Sequence, residues 1–367
     1  MLSKYLFLSG HEKSLTGGNK RFERLAKYAV LNKNCCFISI DRNDLNFTHD
    51  RLVFLDKPPI PTYSLRLLFA CIKNRKNIIN IININNIDKV IIFGETPVLA
   101  ALFLCWYCKI DLSIGVRSNV PKRHALTLAH LNFFEKSKKN IRYFLNYIIL
   151  KKTFNFSSSI IVQSPLAKKE FCENYNVSQE KVHFLPNDLP CITESINLKS
   201  INREYLNKPK RILFVGNDTY IKGFDVFLEF LSRDSIKELV SKVTIVGVSE
   251  KTYNTDLNIL YLSRSNDVLT LMLEHDLLIV PSREDQFPNV VLEAFSVGLP
   301  VIGSDVDGIS YMINNSSYLF APGCVSSLTN LYLSLFNDGD YQKLISYIIE
   351  RRKHFDFEWE EKYLTLV

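Results

Sequence analysis

The chain has 367 residues, of which 47% are hydrophobic and 23% charged, enough for two or three domains and the wrong mixture for disorder, collagen or a coiled coil. Its net charge of +7 is unevenly spread: residues 1–190 hold 28 Lys and Arg against 14 Asp and Glu, and residues 191–367 hold 17 against 24. Halves of opposite sign imply two domains with different partners; the basic one suits nucleic acid, a membrane surface or an anionic substrate, unless Lys-rich drift alone accounts for it.

In chain order, the opening MLSKYLFLSG has an apolar run of four residues and no cleavage pattern, so a strand is expected at Tyr5–Leu8 rather than a leader. A helix over Asn19–Asn32 and strands at Cys36–Ile40, Arg51–Leu55 and Lys89–Phe93 follow. The twelve-residue stretch Pro97–Cys108 is too short to span a bilayer and ends at Lys109. Its Cys105 and Cys108 form a CxxC with no second pair, so no metal site is expected, and the eight scattered cysteines are expected to be reduced thiols of a cytoplasmic protein. Next come a strand at Leu112–Val116, a helix over Ala125–Leu150, a strand at Ile160–Gln163, a helix over Pro165–Tyr175 and a strand at Val182–Leu185. The polar stretch Asp188–Lys208 is the expected linker. Beyond it, strands at Arg211–Val215, Lys242–Val246, Asn258–Leu262, Leu277–Val280 and Val301–Ser304 alternate with helices over Gly223–Ser232, Val268–Glu274 and Pro288–Val297. Strands alternating with helices imply an α/β protein of two doubly wound parallel sheets, and such sheets bind ligands beyond the carboxyl ends of their strands.

The segment Leu277–Gly308, LLIVPSREDQFPNVVLEAFSVGLPVIGSDVDG, carries most of the chemistry. A buried strand runs into a polar loop and then a helix opened by Pro288 and closed before Gly298. The first-turn N–H groups near Asn289 and Val290 point into the strand-end crevice and favour an anion, while Asp285 and Glu293 flank them and can hold hydroxyls. That combination suits a phosphorylated sugar; the plainer reading makes Asp285 a loop cap and Glu293 a surface helix residue. Upstream, in RILFVGNDTYIKGF, a strand meets a turn at Gly216, and Lys222-Gly223 opens a helix, which places a point positive charge where a diphosphate would leave.

This pattern resembles the retaining GT-B glycosyltransferases of family 4, whose mark is a strand ending in Pro-Ser, a Glu, seven residues, a second Glu, then Gly-x-Pro-Val. Pro281, Ser282, Phe287, Pro288, Asn289, Glu293, Ala294, Gly298, Pro300 and Val301 match it. Asp285 stands in for the first Glu, Gln286 replaces the commonest Gly, and Glu284 is one residue early for the spacing. The family's Arg after the glycine is Asn217 here, leaving Lys222 as the main cation. Gly17-Gly18 resembles the family's N-terminal glycine loop, Ile161–Ser164 and Leu185–Asn187 the segments ending its first domain, and Tyr318–Gly323 a loop of its second. Arg117 stands near the family's usual histidine.

The resemblance implies a GT-B fold, two Rossmann-like domains facing a central cleft, over residues 1–190 and 205–351, with a terminal helix within about 352–367, marked by Trp359 and Lys362-Tyr363, packing back on the first. It implies a retaining glycosyltransferase with catalytic Lys222, Asp285 and Glu293, the first carboxylate on the transferred sugar and Glu293 on the nucleotide ribose. Gly17, Gly18, Arg117, Gly216, Asn217, Gln286, Phe287, Pro288, Asn289 and Val290 would line the donor. No cofactor and no metal are expected, since the nucleotide-sugar is itself the donor substrate. A sugar epimerase or phosphorylase on the same fold is the alternative enzyme. The stretch Lys136–Lys152, KSKKNIRYFLNYIILKK, interleaves cations with aromatics around an apolar centre. It suits an anionic membrane interface, nucleic acid, or a core helix with a solvated basic end. The expected partners are a nucleotide-sugar and a saccharide or lipid-linked acceptor in bacterial surface polysaccharide or lipopolysaccharide synthesis, on the cytoplasmic face of the inner membrane, with no nucleic acid.

Overall fold

The computed structural model describes residues 4–9, 17–33, 35–39, 49–56, 58–60, 62–128, 133–190, 208–217, 219–249, 257–263, 265 and 267–367. Its contacts divide the chain into two compact units. The first contains residues 1–119, 131–185 and 358–367; the second contains residues 120–130 and 186–357. Each is built on one wholly parallel sheet.

In the first unit the strands are β1 (Tyr5–Leu8), β2 (Cys36–Ser39), β3 (Leu52–Phe54), β4 (Lys89–Phe93), β5 (Asp111–Gly115), β6 (Ser159–Val162) and β7 (Val182–Phe184). Their order is β3-β2-β1-β4-β5-β6-β7. The apolar runs YLFL, KVIIF and SIIV are buried almost throughout, as strands covered on both faces must be. The terminal helix Trp359–Leu366 belongs to this unit: Trp359 and Tyr363 meet Phe93 at ring separations of 6.4 and 5.4 Å, and Tyr5 donates its hydroxyl to the Leu364 carbonyl at 3.1 Å.

The second unit has β8 (Arg211–Val215), β9 (Lys242–Val246), β10 (Ile259–Leu262), β11 (Leu277–Val280), β12 (Val301–Ser304) and β13 (Leu319–Phe320), in the order β10-β9-β8-β11-β12-β13. Chain direction across the sheet reverses between β8 and β11, which is the switch point where open parallel sheets accept ligands. Behind it, Phe214 stacks on Phe227 with centroids 5.0 Å apart in a continuous apolar core. At the opposite end of the strands, buried Asp276 accepts hydrogen bonds from the backbone N–H of Lys210 and Arg211 at 3.0 and 2.7 Å, and from the Arg211 guanidinium at 3.0 and 2.6 Å. This ties the starts of β8 and β11 together.

Three expectations are corrected. The helix expected over Ala125–Leu150 is two helices, Val120–Leu128 and Phe133–Phe156. The first groups with the second unit, although the sequence reading placed it in the first domain. The two-residue strand β13 falls inside Tyr318–Gly323, expected as loop, and is too short to leave a periodic signal. Residues 191–207 of the expected linker lie outside the described residues. Among the described residues, no helix is long and apolar enough to cross a membrane.

Candidate active site

The loops that follow β8 and β11 meet at the switch point because their backbones interlock. After β8 the chain turns at Gly216, whose N–H donates to the Val246 carbonyl at 2.9 Å, and passes through a single 3₁₀ turn, Tyr220–Lys222. Gly223 then takes φ +67° ahead of the helix Phe224–Leu231, so that helix starts one residue later than expected. A Cβ at Gly223 would lie 1.8 Å from the Pro281 carbonyl oxygen, so only glycine lets the two loops approach this closely. The Arg283 N–H donates to the Ile221 carbonyl at 2.7 Å, joining the loops again. On the far side, Gly308 lies against the Asp285–Gln286 backbone, where a Cβ would be 2.0 Å from the Gln286 oxygen.

This close packing pairs Lys222 with Asp285: the ammonium donates to Asp285 Oδ2, both side chains being partly buried. The expectation of Lys222 as the main cation did not include this carboxylate partner. Asn217 is exposed, and its side-chain oxygen accepts from the Thr219 hydroxyl at 2.8 Å, so position 217 supplies no charge. Arg283 is engaged too. It grips Asp225 with two hydrogen bonds of 2.6 Å and lies 3.7 Å from the centroid of the Tyr220 ring.

Downstream of Asp285, Gln286, Phe287 and Pro288 are buried. Phe287 packs on Tyr311 and Phe355 at about 6 Å, so its ring anchors the loop. Pro288 caps the helix Asn289–Ser296 instead of opening it, and Gly298 follows the end at φ +65°. The N–H groups of Asn289 and Val290 begin that helix, at the end where the helix's own ladder supplies no acceptor. Buried Asn187 donates to the Asn289 side-chain oxygen at 3.3 Å, which fixes the first turn. Glu293 is partly buried in the second turn.

The structure also brings in two residues that the motif left out. Glu284, one residue early for the family spacing, is only 6% exposed, and its Oε1 has no hydrogen-bond partner among the described residues. Burial pushes its carboxyl up to about 7; neighbouring Asp285 adds to this, while Arg123, Lys122 and Lys222 oppose it. Arg123 Nε lies 3.8 Å from Glu284 Oε2, carried there by the helix Val120–Leu128, which packs on the Tyr220–Lys222 turn. No sequence signal separates Arg123 from the other cations of the basic half. Glu284 was legible only as an acidic neighbour of Asp285.

The remaining candidates lie in the first unit. Gly17 and Gly18 form the start of the helix Gly17–Asn32 rather than a free loop. Arg117 sits 5.2 Å from the Phe93 ring centroid, and burial, reinforced by Arg21, holds its guanidinium down at about 10.

Residues 209–338, which contain this site, match the family model described as glycosyl transferases group 1. The N,N'-diacetylbacillosaminyl-diphospho-undecaprenol alpha-1,3-N-acetylgalactosaminyltransferase of Campylobacter jejuni is 25% identical over 64% of this chain and 63% of its own length. The chain spans less than two thirds of the length of the curated relatives it matches, from 45% to 63%. Among solved structures, the sucrose-phosphate synthase of Thermosynechococcus elongatus superposes with a TM-score of 0.73 at 16% identity, covering 99% of this chain and 97% of that one. The Anabaena protein HepE, solved with UDP and glucose, gives 0.70 at 14% identity over 96% and 95%. The chain is thus built of two parallel-sheet α/β Rossmann-like domains with GT-B glycosyltransferases as structural neighbours, and residues 209–338 are similar to the group 1 glycosyl transferases.

Proposed function

We propose that the protein is a retaining glycosyltransferase of family 4 type, moving a sugar from a nucleotide-sugar to a saccharide or lipid-linked saccharide acceptor in bacterial surface polysaccharide or lipopolysaccharide synthesis. The observation that carries this reading is the Lys222–Asp285 pair, set four residues ahead of the N-terminus of the helix Asn289–Ser296 at the switch point of the second sheet. First-turn N–H groups and an ammonium suit the developing charge of a diphosphate leaving group. Asp285 would turn Lys222 toward that group and accept a sugar hydroxyl, and Glu293 would accept from the ribose. In the transfer step the bond from the anomeric carbon to the diphosphate oxygen breaks and a bond to the acceptor oxygen forms on the same face. The acceptor proton passes to the departing phosphate. HepE's complex with UDP and glucose supports a uridine nucleotide, and the lipid diphosphate in the Campylobacter relative's name supports a lipid-linked acceptor. The protein groups meet the diphosphate charge, so the reaction runs without a divalent metal.

Contact with the cytoplasmic face of a membrane belongs to the same reading. The helix Phe133–Phe156 leaves Phe134 84% and Ile141 66% exposed beside Lys136, Lys138, Lys139 and Arg142, a combination that lies well in an anionic lipid interface.

The test is to incubate the protein with UDP-sugars and an undecaprenyl-diphosphate-linked saccharide, with EDTA in a parallel set, and to read the new linkage by NMR. Transfer with an unchanged anomeric configuration, insensitive to EDTA, is expected. Inversion, strict metal dependence, or conversion of the nucleotide-sugar with no acceptor consumed would each contradict the proposal.

A further inference from the structure

The charges of the switch-point loops do not by themselves suit a diphosphate. Lys222 is matched by Asp285, Glu284 adds only negative charge as it ionises, and Arg283 is committed to Asp225. Asn217 brings no charge. The helix Val120–Leu128 reverses this balance, since Lys122 and Arg123 both act on Glu284 and turn the cluster net positive. We propose that Arg123 is the second diphosphate-binding cation of this site, delivered by a helix from the N-terminal half of the chain in place of a cation at position 217. The inference rests on the donor reading above.

Two observations and one point of chemistry carry it. Arg123 is 52% exposed on its side chain, so much of its guanidinium remains open to a ligand while its Nε faces Glu284. Its helix packs on the turn that ends in Lys222, so the two cations lie on adjoining elements. A guanidinium also matches a phosphate with two parallel donors, which an ammonium cannot do. Glu284 is the counter-ion of Arg123, in the place a phosphate would compete for.

The test is titration calorimetry with UDP and UMP, and with GDP and GMP, on the wild type and on the Arg123→Ala, Arg123→Lys and Arg123→Ala/Asn217→Arg variants. Arg123→Ala is expected to bind the diphosphate about tenfold more weakly, ~1.4 kcal/mol, and the monophosphate nearly as well as the wild type. Arg123→Lys should keep part of the affinity, and adding Asn217→Arg should restore it. An Arg123→Ala variant that binds diphosphate like the wild type overturns the inference and leaves the donor reading standing. Equal loss for both ligands also overturns it, by showing a purely structural role. If the wild type binds none of the four nucleotides, the donor reading itself fails and the inference fails with it.

Discussion

Replacing Glu284 by glutamine should stabilise the protein at pH 8 and leave it nearly unchanged at pH 5. The carboxyl is almost fully buried, one oxygen lacks a partner among the described residues, and burial pushes its titration from the ordinary 4.5 to about 7. That displacement opposes the ionised form in the folded chain by about 3 kcal/mol. The sign follows from proton binding. Between pH 4.5 and 7 the folded chain holds the proton more tightly than the unfolded one, so the stability present below pH 4.5 is lost as the pH rises through 7. Asp285, Arg123, Lys122 and Lys222 are the charged groups acting on this carboxyl, and the last three temper the loss without cancelling it. Glutamine imitates the protonated form but forgoes the Arg123 attraction, so a gain of about 1–3 kcal/mol is expected at pH 8. For a domain of this size that corresponds to roughly 2–10 °C in melting temperature. Urea unfolding and calorimetry at pH 8 and pH 5 measure it. A Glu284→Gln protein less stable than the wild type at pH 8, or a difference independent of pH, would refute the reasoning.

Glu293→Ala should weaken nucleotide-sugar binding without unfolding the chain, and a variant with wild-type affinity and turnover would remove this carboxylate from the site. Gly223→Ala should lose about 3 kcal/mol of stability and most donor affinity, because a Cβ at φ +67° would meet the Pro281 oxygen at 1.8 Å. Wild-type melting and affinity would show that the loops do not interlock here. Asp276→Ala should cost about 3 kcal/mol in urea unfolding by leaving Arg211 and two backbone N–H groups unpaired, with nucleotide affinity of the folded protein unchanged. An affinity that falls with stability would contradict its purely structural role.

The strands were legible because short apolar runs such as RILFV and LLIV are bounded by polar turns, and the twelve expected strands appear within one residue at either end. The helices over Val120–Leu128 and Phe133–Phe156 read as one in the sequence because it carries no proline or glycine between them. The loops at the switch point were legible for the same reason as the strands, and Lys222 and Asp285 stood out individually. Their pairing did not, since 63 residues separate them and the approach of Gly223 to Pro281, with the Arg283–Ile221 backbone bond, brings them together. Glu284 falls outside the motif because a motif fixes spacing and says nothing about which side chain is buried. Arg123 is one cation among 28 in the basic half, distinguished only by the helix that carries it onto the second unit.

On the proposed function, Lys222, held by Asp285 at the switch point, stabilises a departing diphosphate. It is tested most directly by the turnover of Lys222→Ala at saturating nucleotide-sugar, where binding differences are removed from the rate. Loss of a preorganised donor from a developing anion is worth ~10²–10³ in turnover, and a fall in that range or beyond is predicted. A loss of less than roughly tenfold would contradict the claim.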